Sequence, residues 1–191
     1  IGEIGPQAFK FVDDLAEMNQ KLWQILPDNP TDDYNCPYGS ISAFANNPLL
    51  ISLDFLIRDG WLSSEDLRNY PKSDSKKISF KDISSIRNSL LSKSVDNFLI
   101  NITEYQSSDF KKFCKKNKYW LDDFALFNVL QEILNEEQWI RWPNYYKLLD
   151  KNHINSFIIK YKNKIKSVKV LQYLYYKQWN DLKLYANSKG I

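Results

Sequence analysis

Apolar positions along the chain fall into helical stripes broken by one long polar interruption. After Pro6, the residues Ala8, Phe11, Val12 and Leu15 recur at helical intervals, and proline suits a first helical position. A helix is therefore predicted from Pro6 to about Glu17–Asn19. Lys21 to Leu26 is short, apolar and stopped by Pro27, which reads as a brief buried strand. Residues Asp28 to Asn47 are dense in Asp, Asn and Pro and predict a long loop. Leu49 to Leu56 turns apolar again and predicts a helix that carries on into Gly60-Trp61-Leu62.

Ser63-Ser64-Glu65-Asp66 places hydroxyls ahead of carboxylates, as at a helix start. Pro71 to Lys77 reads as a Ser/Lys-rich connector. Ile83, Ile86, Leu90 and Leu91, then Phe98, Leu99 and Ile102, form the apolar stripe of the next helix. Another is predicted to start near Ser107 or Ser108 and to carry Phe110 and Phe113. Trp120 to Leu134 is apolar on most faces and should be largely buried. A last helix is predicted from about Ser167 to Asn187, with Val168, Leu171, Leu174, Tyr175, Gln178, Trp179 and Leu182 at helical spacing and Gly190 as its stop. No internal repeat is present. The pattern is one short strand among many helices.

Composition adds bounds. The 191 residues, 43% hydrophobic and 26% charged, are ample for one core and typical of a globular protein. No apolar run approaches the ~18–20 residues of a membrane-spanning helix, so no membrane partner is expected. The first residues lack the basic start and apolar core of a signal peptide, and with no initiator Met the natural N-terminus is expected upstream. Cys36 and Cys114 are far apart and have no Cys or His neighbours, which fits reduced thiols and a cytoplasmic compartment. The net charge of +3 and the stretch Lys160-Tyr-Lys-Asn-Lys-Ile-Lys166 raise a nucleic-acid binder. Acidic residues are interspersed throughout, so that stretch reads as a solvated helix face and nucleic acid is set aside as a partner.

Three tracts carry a more specific signal. Trp23-Gln24-Ile25-Leu26-Pro27 is followed by Cys36-Pro37-Tyr38 and by Ser42-Ala43-Phe44-Ala45-Asn46-Asn47-Pro48. They resemble Trp-Gln-x-Leu-Pro, Ser-Pro-Tyr and Ser-Ala-Phe-Ala-Gly-Asn-Pro of the 4-α-glucanotransferase family (amylomaltase, or disproportionating enzyme). Ile1-Gly2-Glu3-Ile4-Gly5-Pro6 resembles that family's Gly-Ile-Gly-Asp-x-Gly-Pro. Trp120-Leu-Asp-Asp-Phe-Ala-Leu-Phe127 resembles its Trp-Leu-Glu-Asp-Tyr-Ala-Leu-Phe helix, and Trp139-Ile-Arg-Trp-Pro143 its Trp-x-x-Trp-Pro. Leu171 to Trp179 and Tyr185 to Ile191 are similar to its helix before the third barrel strand. The resemblance is weakest from about Leu67 to Asp109. It implies an α/β fold, a partial (β/α)8 TIM barrel that in this segment is mostly α-helical with one or two short parallel strands. Residues 1–50 would start the barrel, 51–166 form a helical insertion, and 167–191 lead to the third strand. A barrel cut there leaves open sheet edges, so instability of the piece alone is expected.

Retaining glycoside transfer needs two carboxylates about 5–5.5 Å apart. The available pairs are Asp13-Asp14, Asp32-Asp33, Asp122-Asp123 and Glu136-Glu137. Helical neighbours point about 100° apart, so Asp13/Asp14 and Asp122/Asp123 do not converge, and Asp32/Asp33 read as turn residues. In the resembled family the catalytic acids sit on later strands, so no catalytic residue is assigned to this chain. His153, the only histidine, falls in a Lys/Asn-rich linker and reads as a surface residue. No metal site is expected from one His and two scattered Cys, and no Gly-rich phosphate loop is present.

The resemblance implies maltooligosaccharides and α-1,4-glucans as partners, with no cofactor, and a substrate-binding role for Tyr38, the tyrosine that lines the family's cleft. Cys36 replaces the family's serine, and a thiol is the poorer hydrogen-bond partner. Tyr34 is displaced by one residue from a family tyrosine in an outlying glucan groove. Ser42 and Asn47 are expected to brace the loop, and Trp120, Trp179, Tyr173 and Tyr176 to pack in the core. A rival reading is a non-catalytic α-glucan-binding or regulatory helical protein that keeps only the aromatic loop.

Overall fold

The computed structural model describes residues 2–32, 34–71 and 80–191. Among them are eight α-helices, which we number α1 (Pro6–Glu17), α2 (Leu53–Arg58), α3 (Phe80–Asn101), α4 (Glu104–Lys116), α5 (Lys118–Leu134), α6 (Asn144–Lys147), α7 (Lys151–Lys160) and α8 (Lys162–Ser188). Short 3-10 turns cover Pro37–Gly39, Pro48–Leu50, Ser64–Leu67 and Trp139–Arg141.

α1 forms where proline and the apolar stripe place it, and it buries Ala8, Val12 and Leu15. It packs on the C-terminal part of α8, with Phe9 against Tyr185 at 5.1 Å between ring centroids. α8 is the longest helix and the hub. Val170, Tyr173, Leu174, Tyr175 and Leu182 join one core with residues of α1, α2, α3 and α4. Its first turns join a second core, in which Ile165 meets Ala125, Val129, Leu130, Trp142 and Phe157.

Several expectations need correction. No strand exists among the described residues, so the short parallel strands are not seen. Lys21 to Leu26 makes no backbone hydrogen bond to another segment, and Leu22 is 88% exposed. A strand is stabilised by its ladder, and among the described residues this segment has none. Trp120 to Leu134 is also less buried than its apolarity suggested. Only Leu121, Ala125, Val129 and Leu130 of α5 are buried, because the helix presents one face to α8.

The region after Asn47 is a 3-10 turn, a break at Ile51–Ser52, and then α2, rather than one helix. Ser63 opens only a 3-10 turn, its amide donating to Asp66 Oδ2 at 2.9 Å. α4 begins at Glu104 because Thr103 and Gln106 cap each other, Gln106 N–H donating to Thr103 Oγ1 (3.2 Å) and Thr103 N–H to Gln106 Oε1 (3.0 Å). α8 starts at Lys162, five residues before the helix start expected near Ser167. The connector Pro71–Lys77 falls, apart from Pro71, outside the described residues.

Candidate functional site

Residues 28 to 47 leave the body and return to the same place. Asn47 N–H donates to the Asp28 carbonyl at 2.8 Å, Asn46 Nδ2 to Asp28 Oδ2 at 3.2 Å, and Asn29 Nδ2 to the Ala45 carbonyl at 2.9 Å. The result is a long loop with a closed neck. Its neck rests on α8. Gln172, 1% exposed, accepts from Asn46 N–H and donates to the Asn46 carbonyl, both at 2.9 Å. One turn on, the Tyr175 hydroxyl donates to Asp28 Oδ2. Burial and that carboxylate push the Tyr175 hydroxyl well above the usual phenol range. Gln178, 3% exposed, repeats the two-point contact on Ser52, accepting from its N–H (2.7 Å) and donating to its carbonyl (3.2 Å).

The loop's tip is organised by Asp32, whose Oδ1 accepts from Tyr34 N–H (3.0 Å) and Cys36 N–H (2.8 Å). Asn35 adopts φ +60°, a left-handed conformation that asparagine tolerates. Pro37 then opens the turn Pro37–Gly39. Gly39 is needed at its end: a Cβ there would lie 2.2 Å from Asp32 Oδ2. Ser42 Oγ accepts from Phe44 N–H (3.2 Å) and Ala45 N–H (3.1 Å), and Asn47 Oδ1 from Leu49 N–H (3.0 Å), so both brace the loop as expected.

This scaffold displays aromatic rings. Tyr38 is 74% exposed and Tyr34 is 90% exposed, while the free thiol of Cys36 is half-buried between them. Phe44, also exposed, stands edge-on to Tyr119 at 5.7 Å and parallel to Trp120 at 6.4 Å. The start of α5 thereby joins the loop's surface, a contact that the core assignment of Trp120 missed. On the loop's other flank, Thr31, Asp32, Gly39 and Ile41 border a groove of 1260 Å³ that extends between α3, α5 and α8. Asn88, Ser92, Asn128 and Gln131 supply neutral amides and a hydroxyl to it. None of Tyr34, Cys36 and Tyr38 lines it. No periodicity argument pointed to this groove, because its walls meet only in three dimensions.

The family model described as 4-alpha-glucanotransferase matches residues 1–191. The chain belongs to the 4-α-glucanotransferase family. It is 36% identical to the 4-alpha-glucanotransferase of Clostridium butyricum, over all of this chain and 39% of that one. It is 33% identical to that of Synechocystis sp., over all of this chain and 38% of that one. The solved structure of the amylomaltase from Streptococcus agalactiae in complex with acarbose superposes with a TM-score of 0.93 at 35% identity, covering all of this chain and 38% of that one. This chain thus spans under two fifths of the length of the relatives it matches.

For a 4-α-glucanotransferase segment, the fate of the carboxylates matters. Asp13 accepts from the Tyr185 hydroxyl at 2.6 Å and pairs with Lys189 at 3.0 Å. Those two contacts, the hydroxyl first, hold its carboxyl below the usual carboxylate range. Asp122 pairs with Lys169. Glu136 accepts from Gln138 N–H at 2.9 Å and lies 3.8 Å from Arg141. Asp33 lies outside the described residues. His153 sits on the first turn of α7 rather than in a linker, its Nδ1 2.6 Å from the cap residue Asp150 and its ring stacked on Tyr145 at 4.3 Å. The lysines from Lys160 to Lys166 are exposed at the α7–α8 junction, and Lys164 pairs with Glu132. Among the described residues no group of His, Cys, Asp and Glu is arranged to hold a metal ion, and no helix is long and apolar enough to cross a membrane.

Proposed function

We propose that this chain is the part of a (β/α)8-barrel 4-α-glucanotransferase that builds one wall of the glucan cleft. The observation that carries the reading is the amylomaltase match over every residue of the chain, at 35% identity and a TM-score of 0.93. The reaction is transfer of α-1,4-glucan segments between maltooligosaccharides and linear glucans. An aspartate attacks the anomeric carbon, a glutamate protonates the departing glycosidic oxygen, and a second glucan's 4-hydroxyl resolves the glycosyl-enzyme. Both acids lie outside these 191 residues, which alone are expected to be inactive.

In this reading the Tyr38 ring stacks on the apolar face of a pyranose. Its exposure on a loop whose backbone is hydrogen-bonded from neck to tip supports that role. Cys36 contacts sugar beside it, more weakly than a hydroxyl would, and Tyr34 reaches an outlying glucan groove. Residues 1–50 begin the barrel, 51–166 are its helical insertion, and 167–191 lead to the third strand. No cofactor takes part, and two free cysteines fit a cytoplasmic compartment.

Incubating the intact protein with maltotriose tests the proposal. Glucose together with longer maltooligosaccharides is the expected product set. Hydrolysis alone, or no reaction, overturns it, and saturable glucan binding without turnover would then support the binding-protein reading. Tyr38→Ala in the intact protein is expected to lower kcat/KM while leaving the unfolding free energy within about 0.5 kcal/mol. Unchanged kinetics would remove Tyr38 from the cleft.

A further inference from the structure

Two buried glutamines of α8 make the same contact six residues apart, yet what each contact holds is different. Gln178 grips Ser52, a position secured several times over. The Ser52 hydroxyl donates to Glu3 Oε1 at 2.9 Å, and the buried Arg87 guanidinium donates to the neighbouring Ile51 carbonyl while pairing with Glu3 Oε2 at 3.0 Å. Ser52 also leads directly into α2, whose Leu53 and Leu56 are in the core. Removing Gln178 therefore weakens a joint that other groups keep closed.

Gln172 grips Asn46, at the foot of the aromatic loop. The side chains available to hold the loop against α8 are few: Gln172 on Asn46, and Tyr175 on Asp28. Ala45 is the only residue between Gln20 and Leu50 that is fully buried among those described, so apart from Phe44 on the start of α5 apolar packing does little to fix the loop's position. Beyond the neck, the bonds of Asp32 and Ser42 make the tip stiff within itself. Phe44, resting on Tyr119 and Trp120 of α5 at 5.7 and 6.4 Å, lies two residues from Asn46, so a displacement at Asn46 moves that contact with it and is carried by the stiff tip to Tyr38.

We infer that Gln172 is a positioning residue for the sugar-facing loop, setting the placement of Tyr38 and Phe44, whereas Gln178, with identical chemistry, is structural only. The kinetic part of this inference rests on the transfer activity proposed above. The positional part does not.

The test compares Gln172→Met with Gln178→Met in the intact protein, methionine keeping chain length while removing both hydrogen bonds. Amide hydrogen exchange is read over Ser40–Ala45, and kcat and KM are measured with maltotriose. For Gln172→Met, exchange over Ser40–Ala45 is expected to quicken at least tenfold, and kcat/KM to fall at least tenfold. For Gln178→Met both readouts should stay within twofold of the parent while the melting temperature falls. Gln172→Asn, whose amide is one methylene too short to keep both bonds, should fall between and serves if the methionine variant does not fold. Equal effects of the two positions on exchange, or none from Gln172, would overturn the inference. A parent protein without transferase activity would overturn the proposed function instead, and the exchange contrast would still decide the positional part.

Discussion

The irregular segment of residues 28–52, which includes the aromatic loop, and the helical module α5–α7 are both supported by α8, in opposite ways. The module rests on apolar shape. Ala125, Val129, Leu130, Trp142, Phe157 and Ile165 close on one another, and Phe127 lies 5.1 Å from Trp142 between centroids. The loop rests on polar side chains that pair with backbone: Gln172 on Asn46, Gln178 on Ser52, Asn29 on Ala45 and Asp32 on Cys36. The reason is the state of the main chain. A helix satisfies its own amides and carbonyls, so its neighbours need only fill space. An irregular segment leaves those groups open, and burying them unpaired costs free energy. α8 meets the first demand with Ile165 and Val168, and the second with two glutamines.

That contrast can be broken at its strongest point first. Trp142→Ala removes a buried ring whose Nε1 donates to the Glu136 carbonyl at 2.8 Å, and should destabilise by about 3–5 kcal/mol. Faster amide exchange is expected across α5–α7 and not at Asn46 and Asn47; equal acceleration at the neck would mean that the two regions unfold as one. Tyr175→Phe should cost about 1–3 kcal/mol, because the Asp28 carboxylate loses a buried donor. A urea midpoint indistinguishable from the parent would show that Asn46 alone satisfies Asp28.

The smallest effect calibrates a polar contact outside either region. Asp66, bonded to Lys93 and to the Ser63 amide, has its carboxyl lowered from 3.8 to about 2. A folded value below the unfolded one means that its stabilisation is complete above about pH 4 and is lost as pH falls toward 2. Asp66→Asn should therefore lower the urea midpoint at pH 6 and flatten its decline between pH 4 and 2. An unaltered decline would place the acid sensitivity in other carboxylates.

What could be read from the sequence divides along the same line. α1 was legible because Pro6 and the stripe Ala8, Val12, Leu15 are local signals. The loop was legible from its Asn, Asp and Pro, and so were the bracing roles of Ser42 and Asn47, whose bonds span two or three residues. The start of α4 was misplaced because Ser107 and Ser108 offered the same capping chemistry as Thr103. The strand at Lys21–Leu26 failed because a strand depends on a distant partner that composition does not reveal. Gln172 and Gln178 were illegible for the same reason. Each partner lies 126 residues away, and a glutamine in an apolar stripe does not announce which backbone it will meet.

The two glutamines also fix a length. Residues 172 and 178 are six apart on one helix, a rise of about 9 Å, and Asn46 and Ser52 are likewise six apart around the turn Pro48–Leu50. One residue added to or removed from α8 between them would swing a glutamine about 100° around the helix axis and off its amide. One residue changed between Asn46 and Ser52 would shift the facing backbone instead. A single-residue insertion or deletion in either stretch is therefore expected to break one of the two contacts, while Lys21 to Leu26, which makes no backbone hydrogen bond among the described residues, carries no such ruler.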